Sequence, residues 1–585
     1  GLPGAAASAD STAPRSPLVA APGSPDMATL ADDLTYTLSP QLAGMLGVPA
    51  DTVLDAATAQ RLTTAASPLP VGSATPPVGT TLLWPALDAR ESAGPLGIYL
   101  KPYTLRAVGE KIEVWVASGV DLVSAGTAFP YGDARNAVPH STDITDAQAQ
   151  SLVTEFDQRI YPKETAAFST PPDKAGTAVL PGLNVPGVNF AGEGDHTVTL
   201  VDNVRDENFS DFPANPTYIA GFYTPIFNQL TNRNVMTIDA FDWLHRTGEN
   251  PKDEATEDLV TSRPARPRSY EGVFAHEWQH LLQNYQDPAE TTWVNEGLSD
   301  FAISLVGYGD TSRTVEQTRA EGHILCFQGY GEVKGPSNPN PRKCGGPQNS
   351  LTAWEDEGAG SEVLADYGNA WSFFQYLYDR YGTEFISAVH RDGTAQGLAS
   401  VQKQLDTFAK GTKVTDLVHD YQVMNLVDRY VDTKGGKVAG IAKDRVTTAS
   451  LNAAINLASP NAFGKAGVAP NGADYVVLRN QGADAALRSL NFTGVRSVGD
   501  GQTGAAVQNW HVSLVGIDKA GHRVLVRSMD KAFTVALTER DLKAFAGYQT
   551  VVAVISHDDP SDLDAAGEQY AGYELTTNGG TARGA

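Results

Sequence analysis

Cysteine is nearly absent: among 585 residues only Cys326 and Cys344 occur, so at most one disulfide can form. Long apolar runs are missing as well. Strand-like pieces such as Tyr475–Leu478 and Val551–Ile555 are short, and nothing approaches the roughly 20 apolar residues of a membrane span. Basic residues are in deficit, 43 against 68 acidic ones, for a formal charge of -25 and a pI near 4.8. Such a field repels nucleic acid and anionic lipid, so neither is an expected partner. The chain opens at Gly1 with no charged and apolar leader, and a secretory signal peptide is expected to have been removed.

What is present is a globular composition, 41% apolar, on a chain long enough for roughly three or four units. Cys326 and Cys344 flank a loop rich in Gly, Pro and Asn. A disulfide closing it would suit an exported protein, the alternative being two unrelated thiols. With the acidic balance, secretion is the expected compartment.

The expected fold class is α+β. Residues 1–80 read as a flexible arm and linker, with a short helical piece near 40–65, because the first 30 carry too few aromatic residues to bury themselves. Residues 81–185 read as a β-rich region: a hairpin, with strands from Gly97 and from Lys111 around Val108–Glu110, and one amphipathic helix from Ile144 to Phe168. Residues 186–310 hold further strands, Thr197–Val201 and Val235–Asp239. Residues 311–432 are helical, with stripes over Ser361–Tyr381 and Val414–Tyr430. Beyond a linker at Asp432–Gly440, short β runs up to residue 585 predict an all-β sandwich. No internal repeat is visible.

The chemistry lies in Phe274–Gln283, FAHEWQHLLQ. Ser269–Gln286 has helical apolar spacing and Pro288 closes it. On that helix His276 and His280 are four apart, so both imidazoles leave one face and can meet a single ion, with Glu277 beside them. The pattern His-Glu-x-x-His supplies two neutral nitrogen ligands and a carboxylate placed to take a proton from an activated water. A catalytic zinc needs a third protein ligand. Glu296 lies sixteen residues after His280, on a second helix expected from Thr291 or Thr292 to Gly307, with Asp300 four further on. One carboxylate can bind the ion while the other accepts the spare N–H of a ligand histidine.

His276-Glu-Trp-Gln-His280 followed by Asn295-Glu-Gly-Leu-Ser-Asp300 resembles the glutamate-zincin metallopeptidases, and most nearly the hyicolysin-like family of secreted bacterial neutral metallopeptidases. The likeness covers residues 190–430 at motif level, with a spacing shorter than in thermolysin-like members. It implies that His276, His280 and Glu296 bind one catalytic Zn2+, that Glu277 is general base and then proton shuttle, and that Asp300 orients His276. It also implies a zincin-type catalytic domain, protein or peptide as substrate, and a downstream Tyr or His opposite the metal. Tyr367 is the candidate for that oxyanion role, with packing in the core as the alternative; His323, His390 and His419 are rivals. Substrate is expected to pair with an edge strand at about Asn234–Phe241. Residues 30–180 could be a removable pro-segment.

Ca2+ is weighed at Asp195, Asp202, Asp206 and Glu207 and at His557–Asp564, but neither run has the regular loop spacing, so solvated acidic loops are preferred. A secreted zinc endopeptidase is the favoured reading. An aminopeptidase of the same clan is disfavoured because no Gly-x-Met-Glu-Asn element occurs. A cell-surface binding protein, with residues 433–585 engaging an unidentified ligand and the zincin fold as scaffold, is the non-enzymatic alternative, and the intact Glu277 argues against it.

Overall fold

The computed structural model describes residues 18–20, 27–30, 35–64, 67–68, 74–90, 96–180, 182–356, 361–433, 435–458, 467–479, 487–494, 510–518, 523–528, 534–561, 570–578 and 580–584. Helices and sheets are mixed, as expected of an α+β chain. None of the described helices is long and apolar enough to cross a membrane.

One eight-stranded sheet organises the first half. At its centre Ile112–Ala117, Thr197–Asp202 and Asn234–Asp239 run parallel, and every residue of the three is buried. Burial on both faces is what parallel strands demand, and it explains their nearly continuous apolar sequences. The expected hairpin is present as Leu96–Val108 against Ile112–Ala117. Glu113, one of the acidic residues in this buried layer, is met by Arg233 at 2.6 Å and by His196 at 3.3 Å. Although burial works against ionisation, these partners bring its pKa down to about 2. Val114, Val116, Val201, Met236 and Ile238 face the helical side. Trp115, Val198, Leu200 and Val235 face a second core with Trp84 and the helix Pro225–Thr231.

Several expectations need correction. The arm is not free throughout: Leu18–Ala20 pairs with Met27–Leu30, which runs parallel to Tyr218–Ile219, and Met27 is fully buried. The helical piece near 40–65 is two helices, Pro40–Leu46 and Ala56–Thr64, and Tyr36–Leu38 joins the main sheet. The strands on either side of residue 185 lie in that one sheet, so removing residues 30–180 would delete five of its eight strands, leaving Thr197–Asp202, Gly221–Phe222 and Asn234–Asp239. The segment Ile144–Phe168 is built as Asp146–Glu155, a wider turn at Phe156–Ile160 and Tyr161–Ala167. Pro162, with no amide hydrogen, interrupts the regular ladder there.

Helices Val363–Tyr381 and Val414–Asp428 match the two apolar stripes, and Cys326 and Cys344 form a disulfide. Beyond them stand two sheets, in the orders Lys437–Ala439, Arg523–Ser528, Trp510–Ile517, Thr550–His557, Ala473–Arg479, and Thr534–Leu537, Leu490–Gly494, Tyr573–Thr577, Gly580–Gly584. Lys437–Ala439 comes from the expected linker. One face of the first sheet shares a core with Phe492 and Tyr573 of the second. Its other face joins the main helical core through Val515, Val524 and Val552.

Candidate metal centre

The helix Ser269–Gln286 is buried on all sides from Tyr270 to Gln283. Its apolar residues explain half of that: Phe274 and Trp278, one turn apart, both meet the edge of Phe156, at 5.2 and 5.1 Å. The other half is polar, and buried polar groups must find partners. The partners come from the helix Thr292–Val306 that follows. Gly297 permits its close approach to Val363–Tyr381, since a Cβ there would lie 2.8 Å from Phe374 and 2.9 Å from Ala370.

His276 Nδ1 donates to Asp300 Oδ1 at 2.8 Å, and His280 Nδ1 donates to Asn295 Oδ1 at 3.0 Å with the Ser299 hydroxyl 3.1 Å away. With both Nδ1 atoms engaged, both Nε2 lone pairs face inward, 3.0 Å apart. Glu296 Oε2 closes the triangle at 3.3 and 3.4 Å from them. A tetrahedral ion about 2.0–2.1 Å from each donor sets ligand atoms about 3.3 Å apart, so these three residues fit zinc in number, type and spacing.

The electrostatics call for a cation as well. Burial opposes a charge on His276, yet the Asp300 and Glu296 carboxylates hold its pKa up at about 9. Glu296 is brought down to about 2 against its burial, chiefly by His280. Without an ion the cluster therefore keeps a proton.

Glu277, 3% exposed, follows His276 on the helix, and its Oε2 accepts the Tyr223 N–H at 3.1 Å, beside the sheet edge. That corrects the edge assignment. Asn234–Asp239 is paired on both sides, by Thr197–Asp202 and by Gly221–Phe222, and the latter ends the sheet. No periodicity can reveal a strand of two residues.

Tyr367 is buried, stacked on His323 with ring centres 4.7 Å apart, 4.8 Å from Trp354 and 6.3 Å from the His276 ring. His323 shares Asp300 with His276 through a 2.8 Å contact to the other carboxylate oxygen. His390 lies apart, between Ser169 and Gln283, and burial lowers its pKa to about 3. His419 sits between Ser513 and Ser556. Sequence reasoning left Asn295, Ser299 and Tyr223 without roles and weighed His323 only as a rival to Tyr367, not as a partner of Asp300. The first two could have been found, since they flank Glu296 and Asp300 on the same helix. Nothing in the spacing points to the others.

The first acidic run weighed for Ca2+ does not converge. Asp195 pairs with Lys111 at 2.5 Å and Asp202 with Lys101 at 2.6 Å, while Asp206 accepts the amides of Phe209 and Ile219. Asp202 and Asp206 are buried, so they are not solvated loop residues either. In the second run His557 donates its Nδ1–H to the Val468 carbonyl at 3.2 Å, and residues 562–564 fall outside the described ones. Among the described residues, carboxylates with metal-compatible spacing do gather at Asp356, Glu362 and Asp366 and, with a histidine, at Glu193, Asp195 and His196. Compared with protein-family models the chain has no match, and a search of curated proteins also finds none.

Proposed function

We propose that the chain is a secreted zinc-dependent endopeptidase of the glutamate-zincin type. The observation that carries this reading is the convergence of His276 Nε2, His280 Nε2 and Glu296 Oε2 within 3.4 Å of one another, with the Glu277 carboxylate beside a sheet edge. A zinc ion held by those three residues would supply Lewis-acid activation of water and of the substrate carbonyl.

The protein's own groups do the rest. Asp300 and Asn295 hold the two imidazoles in the tautomer that leaves Nε2 free for the ion. Glu277 accepts the proton of the attacking water and passes it to the leaving amine. Among the described residues no second strand pairs with Gly221–Phe222 beyond Asn234–Asp239, and such an edge can align an extended peptide through backbone hydrogen bonds. Tyr367 remains the candidate donor to the developing oxyanion, working beside His323. The disulfide supports an extracellular setting, and residues 433–585 are proposed as an accessory β-sandwich.

The test is zinc content by elemental analysis together with casein cleavage, for wild type and Glu277→Gln, with and without a chelator. One zinc per chain with chelator-sensitive cleavage lost in the variant is the expected result. Protein without zinc, or cleavage indifferent to Glu277, would sink the reading.

A further inference from the structure

Beside the helix Pro225–Thr231, which follows the sheet edge in the chain, lies a cavity of about 290 Å3. Its walls include Pro225, Asn228 and Gln229 from the helix after the edge strand, Asn284 and Tyr285 from the last turn of the motif helix, and Lys174. Two relations tie it to the candidate centre. Glu277 and Asn284 are seven apart on one helix, hence on one face and about 10 Å apart along its axis. The backbone that passes Glu277 at Tyr223 enters the helix Pro225–Thr231 two residues later. A peptide lying along this edge advances about 3.3 Å per residue. The cavity therefore meets a substrate group about three residues from the bond beside Glu277.

Its chemistry is specific. Lys174 is the one charged residue in the lining, in a chain of charge -25, and the rest is mostly side-chain amide. Among the described residues neither the Lys174 ammonium nor the Asn284 amide makes a side-chain hydrogen bond or ion pair. Tyr285 and Asn228, by contrast, are spent on each other and on Asn234. An ammonium with amide donors in a concave site selects an acceptor of opposite charge.

We propose that this cavity takes a substrate carboxylate, from an acidic side chain or a free C-terminus, with Lys174 as the specificity-determining residue. The inference rests on the peptidase reading above and names the substrate class of that site.

Quenched fluorescent peptides of one sequence, carrying Glu, Gln or Lys three residues before or after the cleaved bond and ending in a free or amidated carboxyl, provide the test. On one side of the bond Glu is expected to exceed Lys in kcat/KM by about tenfold. Lys174→Glu should reverse that order and Lys174→Met should level it; a gain that amidation removes assigns the carboxylate to the C-terminus. Equal rates for all three peptides, or an acid preference that survives both substitutions in proteins with unchanged melting temperature, would overturn the proposal. Fluorescence anisotropy of the same peptides on the Glu277→Gln protein separates the two readings. Charge-dependent binding without hydrolysis by wild type would remove the peptidase and keep the pocket, whereas hydrolysis without charge dependence would remove the pocket alone.

Discussion

Among the described residues two buried histidine pairs bring their rings together, and only one of them converges with a carboxylate at metal-compatible spacing. His276 and His280 stand nearly edge to face, their rings at 77° and 4.7 Å, with both Nε2 atoms and a carboxylate oxygen pointing to one spot. His419 and His511 stack face to face at 9° and 3.8 Å, and His419 spends both nitrogens on Ser556 and Ser513 across the junction with the C-terminal sheet. Burial and residue type are shared. What differs is where the lone pairs go, and that direction is set by the partners of Nδ1.

Removing Glu277 should break the comparison most sharply. Glu277→Gln is expected to lower peptide hydrolysis by about 10²–10⁴-fold while zinc content stays at one per chain, read by elemental analysis. Asp300→Ala comes next. It frees His276 Nδ1 and deprives His323 of the same partner, so competition with a chelator should show zinc affinity down by about 10–100-fold. Unchanged affinity would mean that the carboxylate does not position the ligand.

A pH series sharpens the same point. His276 in the metal-free protein has its pKa raised to about 9, so below that pH a proton must leave before zinc enters. Affinity should then fall about tenfold per pH unit on going from 9 to 7, and calorimetry in buffers of different ionisation heat should register about one proton released per ion. The raised pKa also stabilises the metal-free fold, fully below the unfolded value near 6.5, with the gain lost as pH rises through 9. Metal-free protein should accordingly melt at lower temperature at pH 9.5 than at pH 6. At the other pair the expected effect is smallest. His419→Ala leaves the Ser513 and Ser556 hydroxyls buried without their imidazole, costs about 1–3 kcal/mol, and lowers the melting temperature without altering zinc content.

Much of the centre could be read in the chain because its parts sit on two helices with regular spacing. Four-residue steps put His276 with His280 and Glu296 with Asp300 on common faces, and helical geometry does the rest. The structure of the surroundings was harder to read. The edge at Gly221–Phe222 is too short to show a period, and the arm strand Met27–Leu30, only four residues long, pairs with Tyr218–Ile219 far along the chain. Asp202 and Asp206 looked like solvated acids because their partners, Lys101 and the amide of Ile219, lie 101 and 13 residues away.

Composition and local spacing thus suffice for the acidic balance, the single cross-link, the two helices of the centre and the three side chains that converge there, since each depends on neighbours within a few turns. The direction of every lone pair, the edge that faces Glu277, the sharing of Asp300 by His323, and the joining of residues 36–117 to the sheet behind the site belong to the folded chain alone. They arise from pairings between segments tens to hundreds of residues apart, whose register is decided by burying both faces of one sheet at once.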